Sequence, residues 1–226
     1  MKKIVYTILI SLFLGGNILM AQGRCSKFYP LIEGAKFTLT MYDQDNTAQG
    51  TVTYEVNEVT GDSGRYTYTM ARGGTVLSNA HYDISCTDDG VAMDFNSMGG
   101  GILSRYSNID VEVTGTNIYI PNELSVGLPL PDAEMQLKSG GTPGVMNISI
   151  KMVNRKVEGT ETLTDPNGVS RECFIVSHDM IMNMGATINS HTKQWLAEGI
   201  GMMKSEDYEY VDGPLRGTVA LTAYQL

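Results

Sequence analysis

The stretch that decides the fold runs from Met152 to Tyr224. It reads MVNRKVEGTETLTDPNGVSRECFIVSHDMIMNM over 152–184, QWLAEGIGMMKSEDYEYVDG over 194–213 and LRGTVALTAY over 215–224. Apolar and polar residues alternate there, and turn-forming residues divide the runs, which is the pattern of four or five consecutive β-strands. Asp165-Pro166-Asn167-Gly168 is the strongest turn in the chain. Proline at its first central position and glycine at its end match a type I turn with a bulge. Before it, Met146–Glu161 reads as a long strand whose alternation slips near Asn154-Arg155, the mark of a bulge. After it, Val169–Met184 reads as a strand. Ala186–Ser190 is ambiguous, and Lys193–Leu196, Met202–Val211 and Gly217–Tyr224 are the last three strands. Gly199 and Gly201 flank Ile200 and let the chain bend sharply or approach another backbone closely.

Upstream the same grammar holds. Cys25–Pro30 is an extended lead-in that Pro30 confines to an edge. Ala35–Tyr42, Gly50–Val59, Arg65–Arg72, Leu77–Cys86 and Val91–Phe95 alternate as strands, with turns at 43–46, 61–64 and 87–90, giving a meander. Met98–Gly101 reads as a flexible stretch, and Ile102–Tyr106 as one helical turn. Asp110–Thr116 and Ile118–Ile120 read as strands. The segment from Pro121 to Pro143 holds four prolines and reads as loop with a short helix at Asp132–Leu137. Twelve or so strands and no helix of ordinary length give an all-β chain. Its antiparallel sheet is large enough to curl strongly into a half-barrel or partly open barrel, with at most short helices.

The N-terminal MKKIVYTILISLFLGGNILMAQ has a basic start at Lys2 and Lys3, an apolar run from Ile4 to Leu14 and a small residue, Ala21, at the expected cut. Residues 1–21 therefore read as a secretory signal peptide, leaving 22–226 as a single β half-barrel domain. The apolar run is shorter than the ~18 residues that a membrane span needs, and Gly15, Gly16 and Asn17 interrupt it. No transmembrane segment is expected after cleavage. Arg24 before Cys25 argues against processing as a lipoprotein. Export implies a periplasmic or extracellular location.

Loss of Lys2 and Lys3 takes the net charge from −9 to −11. An acidic chain without basic clusters repels phosphate backbones, which sets nucleic acid aside as a partner. The aromatics are mostly tyrosine, 12 against one tryptophan, which suits pleated sheets.

Three cysteines remain after cleavage, Cys25, Cys86 and Cys173, and an oxidising compartment favours one disulfide. Cys25–Cys86 is the expected pair, since it ties the lead-in to the end of a central strand. Cys173, beside Phe174 and Ile175, fits a buried free thiol equally well.

No catalytic constellation survives inspection, so the chain does not read as an enzyme. Gly61-Asp62-Ser63-Gly64 resembles the start of a chymotrypsin-type serine signature. However, Arg65 and Tyr66 follow it, and His81, His178 and His191 all lie after Ser63, so it reads as a hairpin turn. Gly199–Ser205 lacks the Gly-Lys pair of a phosphate loop. Asp43/Asp45 and Asp88-Asp89-Gly90 lack the distal glutamate of a calcium loop. In a strand, His178, Met180, Met182 and Met184 would share one face. Thioethers and an imidazole suit Cu(I), but a methionine stripe is more simply an adaptable apolar wall, so no metal and no cofactor is expected. Trp195 reads as a core or rim anchor.

The segments Asn154–Glu158, Thr164–Gly168, Cys173–Val176 and Trp195–Lys204 are similar to a widespread family of exported bacterial proteins of unknown function, some of them labelled TapB-like. Its members carry a strand, a Pro/Gly turn and a strand, and then a W-[YL]-x-x-G-[VI]-G-x-[VM]-K segment. The lead-in Cys25–Pro30 with Gly34, and Cys86 closing a strand, also resemble it. Leu196 departs from a usual aromatic, and Met202-Met203 from β-branched residues. The resemblance implies an antiparallel half-barrel related in shape to LolA-type lipoprotein carriers and YmcC-like envelope proteins, with no established activity.

Together these readings point to an exported binding protein. Its concave face, with Met180, Met182, Met184, Trp195 and Met202 as candidate contacts, would shelter an apolar or lipid-like ligand or a segment of a cell-envelope partner. The alternative is a structural or interaction module with a filled core.

Overall fold

Alternating burial organises the chain into strands. The computed structural model describes residues 25–94, 111–139 and 147–226. The signal peptide read at 1–21, the flexible stretch at 98–101 and the helical turn read at 102–106 lie outside these residues. The strands are β1 (Lys36–Asp43), β2 (Ala48–Thr60), β3 (Ser63–Arg72), β4 (Thr75–Cys86), β5 (Gly90–Met93), β6 (Val111–Gly115) and β7 (Ile118–Pro121). They continue with β8 (Ala133–Ser139), β9 (Asn147–Thr164), β10 (Ser170–Asn183), β11 (Thr187–Ala197), β12 (Gly201–Tyr208) and β13 (Leu215–Gln225). All 13 form one antiparallel sheet, in the order β6-β8-β9-β10-β11-β12-β13-β1-β2-β3-β4-β5-β7.

The sheet is open but strongly curved, and its connectivity shows why. β6 and β7 occupy opposite edges, yet only Thr116 and Asn117 separate them in sequence. Three Cα steps of 3.8 Å allow at most ~11 Å between Gly115 and Ile118. A flat sheet of this many strands at ~4.8 Å spacing would part its edges by roughly 60 Å. The sheet therefore curls until its edges nearly meet. The hydrogen-bonding cycle is not completed, since β6 pairs with β8 and β7 with β5.

Side chains and loops bridge the seam. Beyond β8, the exposed edge of β9 is covered by residues 127–130: Val157 N–H donates to Leu128 O at 2.9 Å and Leu130 N–H to Arg155 O at 2.8 Å. Arg155, 3% exposed, reaches from β9 to the opposite edge. Its guanidinium donates to Tyr119 O in β7 at 3.1 Å and to Pro131 O.

The bulge near Asn154-Arg155 is present. Asn154 has φ +55°, and the β9–β10 register shifts between Ser177↔Lys156 and Asp179↔Val153. The Asp165 turn is also as read. Asp165 Oδ1 accepts from the Asn167 and Val169 amides at 2.9 Å, and Gly168 takes the left-handed conformation at φ +82°.

One local expectation needs correction, and one ambiguous stretch takes a definite form. Asp132–Leu137 is not helical; Ala133–Ser139 is strand β8. The residues Ala-Glu-Met-Gln-Leu-Lys are good helix formers. As a strand, however, they bury Ala133, Met135 and Leu137 at alternate positions against β9, about 1.5–3 kcal/mol for a side chain the size of Leu137. The ambiguous Ala186–Ser190 stretch largely belongs to β11, which starts at Thr187.

The lead-in crosses one end of the curled sheet. Lys27 N–H donates to Asn122 Oδ1 at 2.8 Å, beyond β7, and Lys27 O accepts from Gly199 N–H at 2.7 Å, between β11 and β12. Phe28 is buried edge-on against Phe174, and Cys25 is bonded to Cys86 as expected. Cys173 is a buried free thiol.

Candidate functional site

The inner face of the curved sheet lines a cavity of about 280 Å³. One wall is aromatic and comes from β1 to β4. Phe37 pairs with Tyr54, and Tyr66 with Tyr82; cross-strand partners share a face, so these rings form rows across three hairpins. The Tyr66 and Tyr82 rings stack at 5.4 Å, and Tyr54 meets Tyr82 edge-on at 6.2 Å.

The facing wall comes from β9 to β12. Met152 pairs with Met180, and His178 with Thr192, while Gln194 and Met202 continue the lining. Ile118 and Ile120 of β7 extend it across the seam. The lead-in supplies Tyr29 and Pro30, and Tyr66 Oη donates to Pro30 O at 2.6 Å.

Burial governs the ionisation of this cavity. It raises the Tyr29, Tyr66 and Tyr82 hydroxyls well above the ordinary tyrosine range and Tyr54 to about 12. Burial, then the nearby Arg155 charge, lowers His178 to about 4, so its imidazole is neutral at neutral pH. The cavity is therefore an uncharged apolar space edged by phenols, one imidazole, one amide and the Thr192 hydroxyl, which donates to Asp207 Oδ1.

The five candidate contact residues do not converge. Met180 and Met202 line the cavity. Met182 follows Met180 on the same face but packs against the core beside the cavity. Met184 lies just past the end of β10 in the turn to β11 and is 52% exposed. Trp195 is next to the cavity-lining Gln194 and so faces the other side of the sheet. There Nε1 donates to Glu161 Oε2 at 2.6 Å, and the Lys204 ammonium sits 4.5 Å from the ring centroid.

That opposite face also carries Asp179 and His191, a cross-strand pair with Oδ1 and Nδ1 2.7 Å apart. Asn154 Nδ2 donates to the other Asp179 oxygen at 2.8 Å. The pair does not line the cavity of the concave face. Among the described residues no three His, Cys, Asp or Glu side chains converge as a metal centre would require.

Sequence reasoning does not single out the tyrosines as site residues. They show only as a strand alternation, Tyr66 and Tyr68 in RYTYT, and nothing local shows that Tyr29, Tyr54, Tyr66 and Tyr82 meet. His178 lines the cavity with Met180, whereas Met184 is exposed and lies outside it.

A curled, open antiparallel sheet around an apolar interior defines a half-barrel of the YmcC-like kind. The particular family follows from the sequence: residues 32–221 match the DUF3108-like family model, and the chain belongs to that family. A candidate exported protein with YmcC-like fold from Bacteroides fragilis shares the fold at TM-score 0.70 and 23% identity, over 89% of this chain and 100% of that one. A candidate lipoprotein from Parabacteroides distasonis shares it at TM-score 0.69 and 19% identity, over 88% of this chain and 99% of that one. No match exists among curated proteins.

Proposed function

We propose that the protein is exported and works in the periplasm or outside the cell as a binding protein rather than an enzyme. It shelters an apolar or lipid-like ligand, or an apolar segment of an envelope partner, against the concave face. The observation that carries this is the cavity itself, whose walls of tyrosine, phenylalanine, isoleucine and methionine come from both halves of the sheet. Concave, mostly apolar spaces with a few polar groups are what small-molecule sites look like. The Cys25–Cys86 bond supports export, because disulfides persist in oxidising compartments. The two solved structures with the same fold bear names that point the same way, one exported and one a lipoprotein.

A second reading, a structural or interaction module with a filled interior, draws on one observation. The volume lies just under the ~300 Å³ at which small-molecule sites begin.

Native mass spectrometry of protein exported with its own N-terminal segment separates the two. Extra mass that leaves on denaturation, or uptake after incubation with envelope lipids, supports the binding reading. An unliganded mass under both conditions favours the filled module. The denatured mass also reports whether residues 1–21 have been removed.

A further inference from the structure

The polar atoms of the cavity wall are biased towards donors. Tyr29, Tyr54 and Tyr82 line the cavity, and among the described residues their hydroxyls make no hydrogen bond. Tyr66, the fourth phenol, shows what such a group does when an acceptor is present: it bonds Pro30 O. His178, 2% exposed, lines the same space and also makes no hydrogen bond there.

Behind this wall lies a buried positive charge. Arg155 sits in the β9 bulge opposite His178. Among the described residues no carboxylate lies within ion-pair distance of it, and its Nε is buried without a partner. Its charge is felt at both Tyr29 and His178. Two carbonyl groups and the more distant Asp132 carboxylate compensate this buried cation only in part, and an anion nearby relieves it more strongly than it would in water.

We propose that the cavity receives a carboxylate: its occupant is a carboxylic acid with an apolar body, whose acid end meets the hydroxyls of Tyr29, Tyr54 and Tyr82, of which Tyr29 faces the Arg155 charge. This rests on the reading that the cavity holds an apolar ligand. The apolar body lies along Phe37, Leu39, Met180 and Met202, and the small volume suits a compact head. A neutral alcohol would add no charge to what Asp132 supplies, and an amine would be repelled by the arginine.

The test is calorimetric titration of the exported protein with decanoic acid, decan-1-ol and decylamine at neutral pH, repeated with the eight-carbon series. The acid should bind roughly tenfold or more tightly than the alcohol, the factor given by a charge-assisted hydrogen bond, with the amine weakest. The variant carrying both Tyr54→Phe and Tyr82→Phe loses two unpaired hydroxyls and no apolar surface. It should fold as the wild type does, lose much more affinity for the acid than for the alcohol and so lose the preference for acid. Tyr66→Phe, whose hydroxyl is already committed to Pro30, should keep that preference. If the alcohol binds as well as the acid, the carboxylate assignment is overturned while the apolar-ligand reading stands. If no compound of either length binds, both fall. An acid preference that survives the double substitution overturns the assignment to these phenols.

Discussion

Replacing Arg155 by methionine should open the seam of the sheet. The arginine spans from β9 to β7, and its two hydrogen bonds end on the carbonyls of Tyr119 and Pro131. Methionine keeps much of the apolar stem and removes both donors. Each buried carbonyl left unpaired costs about 1–3 kcal/mol. Part of this is offset, because the buried charge and its own desolvation cost disappear with the side chain. The net expected loss is about 2–4 kcal/mol, with Arg155→Lys intermediate, since one ammonium cannot reproduce the guanidinium fork. Urea unfolding reads it as a lower midpoint at unchanged slope, so that the change reports stability rather than compactness. Hydrogen exchange should quicken first in residues 118–121 and 127–131, on the far side of the clasp. A loss below about 0.5 kcal/mol, within the range of ordinary surface substitutions, would refute the claim that Arg155 holds the edges together.

Other perturbations reach other parts of the fold. Replacing Cys25 and Cys86 by serine frees a loop of sequence separation 61, so thermal and urea unfolding should show a loss of about 4 kcal/mol; an unchanged midpoint would show that the lead-in is held by packing alone. Burial raises the Cys173 thiol above its usual value, so an aromatic disulfide reagent should leave it unlabelled in the native protein and label it fully in urea; rapid native labelling contradicts its placement. Burial works to raise the Asp165 carboxyl, but hydrogen bonds from Arg171, the Val169 amide and Tyr224 outweigh it and hold the group at about 2. Because this folded value lies below the ~3.9 of an unfolded aspartate, its stabilisation is complete above that pH and is lost as pH falls towards 2. Asp165→Asn should therefore flatten the acid limb of the stability curve in that window, and an acid limb as steep as the wild type's would remove Asp165 as its cause.

Much of the fold is written locally. The Asp165-Pro-Asn-Gly turn, the bulge at Asn154-Arg155 and most of the alternating strands follow from period two and turn chemistry, because each depends on residues a few positions apart. β8 departs from its helical sequence pattern for a physical reason. Its helix-forming residues sit among prolines, and only the neighbouring β9 edge makes the alternation of Ala133, Met135 and Leu137 decisive. The meeting of β6 and β7 across the seam cannot be read in advance, since it depends on the curvature of the whole sheet. The cavity shares that character. Met180 and Met202 were legible as a methionine-rich inner face, whereas Tyr29, Tyr54 and Tyr82 join them only through the pairing order. Trp195, the single tryptophan, faces away from the cavity, its indole committed to Glu161 and Lys204.

The central claim is that this cavity holds a ligand, and filling it tests that claim most directly. Met180 and Met202 both line it, and tryptophan at both positions would occupy its space with little change in polarity. The measurement is calorimetric titration with decanoic acid of the wild type and of the Met180→Trp, Met202→Trp double variant, with the fold of each checked by its urea midpoint. A ligand site here predicts saturable one-to-one binding by the wild type and none by the folded double variant. Equal binding by both, or no binding by the wild type, would contradict it.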